Sequence, residues 1–131
     1  LVPARGRAET VYVSPSGAHT PPFTNWATAS TNIQAALDVA QDGDLVLLEY
    51  ATYNVTQTIR VTNGVTIRGD GWYARVYGPF YSSLYVRGLE VEHPDAVLDT
   101  LEIGRFGGAD IEGGGIYLAA PATVTTRSCG R

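Results

Sequence analysis

Asp95 and Asp99 stand four residues apart across the apolar segment Ala96-Val97-Leu98. Two carboxyl groups are what glycosidic hydrolysis uses, one to protonate the leaving oxygen and one to attack or to activate water. Their separation in space depends on where the chain turns between them. The competing use of Asp99 is a corner residue that bonds nearby backbone. Asp110 and Glu112 flank Ile111 in a Gly-rich stretch and could share a hard cation such as Ca²⁺ through oxygen ligands; a solvated loop is the alternative. Asp70, inside Gly69-Asp70-Gly71, reads foremost as a turn residue. His93 sits between Glu92 and Pro94 and reads as an exposed turn, and His19 lies alone in a Pro-rich loop. No nucleophile elbow, P-loop or dinucleotide fingerprint is present.

Aromatic residues offer a second chemistry. Trp72, Tyr73, Tyr77, Phe80, Tyr81 and Tyr85 fall within fourteen residues, interleaved with Arg75 and followed by Arg87. On a flat outer face, Trp72, Tyr73, Tyr77, Tyr81, Tyr85 and Arg87 would stack on sugar rings or grip a partner, with cation–π contacts from the arginines. Turned inward, the same rings fill a core, and their spacing alone does not decide between the two. Trp26 is a further stacking candidate, though Phe23 and Trp26 are expected to tuck over one end of the core. Cys129, the lone cysteine, has no His or acid beside it to activate a thiolate.

The elements that must carry these residues are short strands. Leu45–Leu48, Ile59–Val61 and Val65–Ile67 are apolar, β-branched runs separated by Gly, Asn or Thr, each too short for a helix. Asn63-Gly64 suits either a hairpin turn or a corner into a further layer. Thr10–Val13 reads as a strand, followed by a Pro-rich loop over 14–26 in which Pro21-Pro22 favours extended backbone. Thr31–Gln41 is the one helical stretch: Thr31 as N-cap with Gln34 forms a capping box, Ile33, Ala36, Leu37 and Ala40 make the apolar stripe, and Gly43 closes it. Further strand-like runs follow at 75–77, 84–86, 96–98, 101–103, 116–118 and 123–126. From Leu47 to Ile67, Val86, Ile103 and Ile116 the steps are 20, 19, 17 and 13 residues. A repeat near 20 with Gly or Asn corners predicts a coil of parallel strands.

Composition narrows the function classes. The chain has 131 residues, 44% of them hydrophobic and 17% charged, with 15 glycines, eight tyrosines and no lysine, which describes a turn-dense β protein. A net charge of −4 and a pI near 5.0 speak against nucleic acid or an anionic membrane as partner. No apolar run approaches the roughly 20 residues that span a bilayer.

The order of motifs resembles the right-handed parallel β-helix proteins of the pectate-lyase-like superfold. It is most similar to the N-terminal part of large secreted bacterial proteins related to polymorphic outer-membrane proteins. The carrying residues are Asn32–Asp38, Gly43-Asp44-Leu45-Val46, Thr52–Val55, Val65–Gly69, Ala96–Asp99, Leu101–Gly104 and Gly113–Tyr117. Two departures are Leu48-Glu49-Tyr50-Ala51, where a Gly-containing turn is usual, and Thr100, where Gly commonly follows the Asp.

The resemblance implies an all-β fold: a short right-handed parallel β-helix over 11–131 with one capping α-helix at 31–41, after a flexible segment at 1–10. The superfold hosts lyases, hydrolases, adhesins and passengers alike; the expectation for this chain is an extracellular or cell-surface module, structural or adhesive and without catalysis, with no cofactor other than Ca²⁺ if a carboxylate site exists. No capping helix follows residue 113, so head-to-tail stacking with copies of itself into a filament is expected. Polysaccharide is the other expected partner. A polysaccharide lyase or glycoside hydrolase of the same superfold, and a fragment of a longer secreted protein, stay open beside this reading.

Overall fold

The computed structural model describes residues 9–78, 88–104 and 116–128. They form a mostly β protein with one short helix. In chain order the elements are β1 (Thr10–Val13), α1 (Ile33–Val39), β2 (Leu45–Leu48), β3 (Thr52–Asn54), β4 (Ile59–Val61), β5 (Thr66–Gly69), β6 (Ala74–Tyr77), β7 (Leu89–Val91), β8 (Val97–Gly104), β9 (Ile116–Leu118) and β10 (Thr123–Ser128). Every pairing between these strands is parallel. One sheet runs β1-β2-β5-β8-β6-β3 with β10 also on β8; the other runs β4-β7-β9. Neither closes on itself.

The larger sheet is two ladders joined where β8 bends. Thr100, at φ 55°, divides β8 into Val97–Asp99, which pairs β5, and Leu101–Gly104, which pairs β6. Strand β10 repeats the break between Thr125 and Thr126. Parallel neighbours require long connections, and here β3–β4, β6–β7 and their equivalents fill them.

Parallel register places like residues on like. In the first ladder Val11, Val46, Ile67, Leu98 and Val124 form one column. In the second, Tyr53, Val76 and Ile103 align, and in the third Val61, Val91 and Leu118. All but the last member of the first and third columns are buried. The intervening residues face outward with in-register opposite charges, as in Arg68 on Asp99 (3.1 Å). The alternation read from Ile59/Val61 and from Ile67 is thus a single wet face and a single dry face.

Helix α1 is shorter than expected. Its N-cap is Asn32, whose Oδ1 accepts from the Ala35 amide (2.8 Å), while the Thr31 hydroxyl lies 3.1 Å from His19 Nδ1. Gln34 closes no capping box. Its Oε1 accepts from the Arg60 amide (2.8 Å) and its Nε2 donates to the Arg60 carbonyl (3.3 Å), so a tertiary contact replaces the local one. The helix ends at Val39 with Ala40 extended, and Gly43 (φ 90°) serves the next turn, its amide donating to Gly64 O (2.9 Å). Ile33, Ala36 and Leu37 are buried as expected.

Other expectations are resolved or revised. Asn63-Gly64 is a corner, because β4 and β5 belong to different sheets; Gly64 N donates to Asp42 Oδ1 and Asn63 Nδ2 to Ala40 O (both 2.8 Å). The repeat near 20 holds for the first step only: Val46, Ile67, Leu98 and Val124 are 21, 31 and 26 residues apart. Pro21-Pro22 is cis. The strand expected at 84–86 lies outside the described residues, as do residues 1–8 of the flexible segment expected at 1–10; Glu9 is hydrogen-bonded to Asp44 and Thr10 opens β1.

The N-terminal edge is covered. Tyr12 N donates to Phe23 O and accepts at its own carbonyl from Ser30 N (both 2.9 Å), so the loop over 14–31 satisfies the outer side of β1. Phe23 is buried, as expected, whereas Trp26 is partly exposed and edge-on to Tyr12 at 4.8 Å. Buried Asp44 ties this region down by accepting from Glu9 N (3.0 Å) and Gln41 N (2.9 Å).

Candidate functional site

Of the carboxylates singled out in the sequence, Asp99 has side-chain partners. Asp99 Oδ2 accepts from Arg68 Nε (3.1 Å) and Oδ1 from the Thr100 hydroxyl (3.1 Å); both partners are side chains, not the nearby backbone that the corner reading expected. Asp95 lies in the turn before β8, exposed, its amide donating to His93 Nδ1 (3.1 Å). The two belong to different surroundings: Asp99 on the outward face of a ladder, Asp95 beside Gly64 and His93 at a corner. No group of three His, Cys, Asp or Glu placed to hold a metal occurs among the described residues. Asp110 and Glu112, the candidate Ca²⁺ pair, lie outside them, as does Cys129.

The aromatic cluster divides. Trp72, 55% exposed, projects from the corner between β5 and β6 and meets Tyr73 edge-on at 6.1 Å. Tyr77 is buried and donates a short hydrogen bond to Glu102. Phe80, Tyr81, Tyr85 and Arg87 lie outside the described residues. A residue that the sequence did not single out joins the exposed set. Tyr50, in the corner between β2 and β3, is exposed; Arg75 lies 5.1 Å from its ring centroid and donates to its hydroxyl (2.6 Å). Tyr50 and Trp72 thus occupy corresponding corners of successive strand pairs. The only signal for Tyr50 in the sequence was its place in the atypical Leu48–Ala51 turn.

Two further surfaces are seen, the first at the end where the sequence offered no capping helix. At the β9–β10 end, Val124 (37% exposed) and Leu118 (44%) terminate columns whose inner members Leu98 and Val91 are fully buried. Near the opposite end, a groove of about 370 Å³ lies between the residues leading into α1 and the connection from β3 to β4. Its polar lining is Thr31, Asn32, Gln34, Thr52, Asn54, Thr56, Gln57 and Thr58, over apolar Pro15, Ile33, Tyr53, Val55 and Ile59. Both walls are anchored: Val55 N donates to Tyr77 O (2.8 Å), Ile59 N to Gly88 O (2.9 Å), and Gln34 pairs with the Arg60 backbone. The sequence held one weak trace of this groove, the uncharged amide and hydroxyl run Asn54-Val55-Thr56-Gln57-Thr58.

Tyr53 underlies the groove and pins the corner above it. Its hydroxyl donates to Glu49 O (2.8 Å) and lies 3.2 Å from Val13 O. Burial, reinforced by the Glu49 carboxylate, holds its phenol above the ordinary range. Among the described residues no helix is long and apolar enough to cross a membrane. No family model matches this chain, and no curated protein or solved structure matches it either.

Proposed function

We propose that the chain is a non-catalytic structural or adhesive module, a short right-handed parallel β-helix that pairs with a second copy through its β9–β10 end. Support for the coil comes from chain order. The path goes from the first ladder to the second to the third as β2-β3-β4, repeats as β5-β6-β7, and repeats again through the two halves of β8 and β9. A winding chain visits its faces in that cycle; a hairpin sandwich does not. The extracellular setting and the kinship with polymorphic outer-membrane-type β-helices rest on the motif order in the sequence.

The observation carrying self-association is the truncated burial of two columns, ending in Val124 and Leu118. Exposed apolar side chains on β9 and β10, whose outer edges no further described strand pairs, are a pairing surface. Head-to-tail stacking would set this end against the loop that already occupies the outer edge of β1. The geometry we put forward is therefore tail to tail about a twofold axis, where one surface complements itself. Asp99 is engaged by Arg68 and Thr100, which favours this reading over the hydrolase or lyase one.

Light scattering on the 131-residue chain across micromolar concentrations tests it. A dimer of the 14.0 kDa chain that dissociates in the combined Leu118→Glu and Val124→Glu variant is expected. A monodisperse monomer overturns self-association, and an open-ended series of larger species overturns the twofold geometry.

A further inference from the structure

The groove between α1 and the β3–β4 connection points to a ligand of its own, and its chemistry does not depend on how copies associate. Its volume, about 370 Å³, falls at the lower end of the roughly 300–1,000 Å³ of small-molecule sites. None of its thirteen lining residues is charged. Several of the lining polar groups are already committed. Asn32 Oδ1 caps the helix, Gln34 bonds the Arg60 backbone, and Thr52 Oγ1 accepts from Arg75 (3.1 Å). The β3–β4 wall is different: the side chains of Asn54, Thr56, Gln57 and Thr58 make no hydrogen bond to any other described residue. One wall therefore carries an uncommitted set of amide and hydroxyl donors and acceptors, above an apolar floor.

We infer that this groove binds a short neutral saccharide through the side chains of Asn54, Thr56, Gln57 and Thr58. A pyranose presents hydroxyls at its rim and C–H groups on its faces. The rim suits amides and hydroxyls that both donate and accept, and a face suits the half-buried Val55 between them. A uronate or sulfated sugar would bring a charge for which the lining has no counter-ion, so burial there would be costly. Anchoring of both walls means little ordering is needed on binding.

The test is an amide-resolved NMR titration of the intact chain with cellobiose, maltose and chitobiose, and with digalacturonate as the charged comparison. Saturable shifts confined to residues 31–34 and 52–59 are expected with at least one neutral disaccharide, and none there with digalacturonate. Asn54 and Gln57 are exposed, so the combined Asn54→Ala, Gln57→Ala variant should keep the spectrum of the strands. It should bind about tenfold more weakly, the loss of a net hydrogen bond of ordinary strength. Failure of all three neutral sugars to saturate, equal binding of digalacturonate, or undiminished affinity in the variant overturns the assignment.

Discussion

Gly69→Ala is the most informative single change. Gly69 closes β5 in register with Leu48, and no positive φ requires glycine there. What excludes a side chain is the neighbouring backbone: an added Cβ would sit 2.3 Å from Thr100 O, 2.4 Å from Trp72 O and 2.9 Å from Ala74 N. Thr100 belongs to β8 and Trp72 to the corner of the same strand pair, so relief demands that two successive corners separate by most of an ångström. Backbone has no alternative rotamer, which places the cost at the upper end of overpacking, about 3 kcal/mol. Gly71 is the control. Its φ is 76° with nothing within 4 Å of an added Cβ, so Gly71→Ala should cost only the left-handed strain, about 1 kcal/mol. Urea unfolding of the three chains gives both differences from the midpoints at constant slope. A Gly69→Ala chain as stable as Gly71→Ala would refute the close approach of the β5–β6 corner to the bend of β8.

Further outcomes follow from the same packing. Leu98→Ala, at a fully buried position in the first column, should cost about 2–5 kcal/mol, whereas Val124→Ala, in the same column but 37% exposed, should cost well under half of that in the monomer; urea midpoints decide. Thr100→Gly relieves a β-branched residue at φ 55°, worth about 1–2 kcal/mol, but adds unfolded-chain freedom and loses the hydrogen bond to Asp99, so the net shift should stay under about 1 kcal/mol. Asp99→Asn, which breaks a half-exposed pair with Arg68, should shift stability by only about 0.5 kcal/mol. Tyr53 titrates above the ordinary phenol range. The folded chain therefore keeps this proton after the unfolded chain has released it; the contribution is complete below about pH 10 and is lost as pH rises further. Tyr53→Phe should flatten that alkaline decline, followed by unfolding against pH, while costing about 1 kcal/mol at neutral pH for its hydrogen bond.

Several strands were legible in the sequence because an apolar and a polar face alternate over three or four residues. Ile59/Val61 and Leu101/Ile103 show this without any tertiary information. Register was not legible. Corners carry no periodic signal, so counting from one apolar run to the next took Ile67 to Val86, whereas Ile67 pairs Leu98. Helix boundaries erred by the same cause. Thr31 and Asn32 are both good caps, and the choice of Asn32 follows from Thr31 turning to His19; Gln34 left its local role for the Arg60 backbone. For the candidate sites, Asp99 read in a corner role bonds its neighbour Thr100 and pairs with Arg68 across the ladder. Trp72 and Tyr77 differ in facing because one lies in a corner and the other at the end of a strand, a distinction that aromatic spacing does not encode. The saccharide groove needed two segments some twenty residues apart to meet, which no local pattern announces.

The claim on which all of this depends is that successive strands stack in parallel. Cross-strand nuclear Overhauser contacts in the labelled chain test it most directly. Backbone contacts linking Val46 to Ile67 and Ile67 to Leu98 in parallel register, with none between β4 and β5, are the predicted result. Close Hα–Hα contacts between Ile59–Val61 and Thr66–Gly69, the mark of an antiparallel hairpin through Asn63-Gly64, would contradict it.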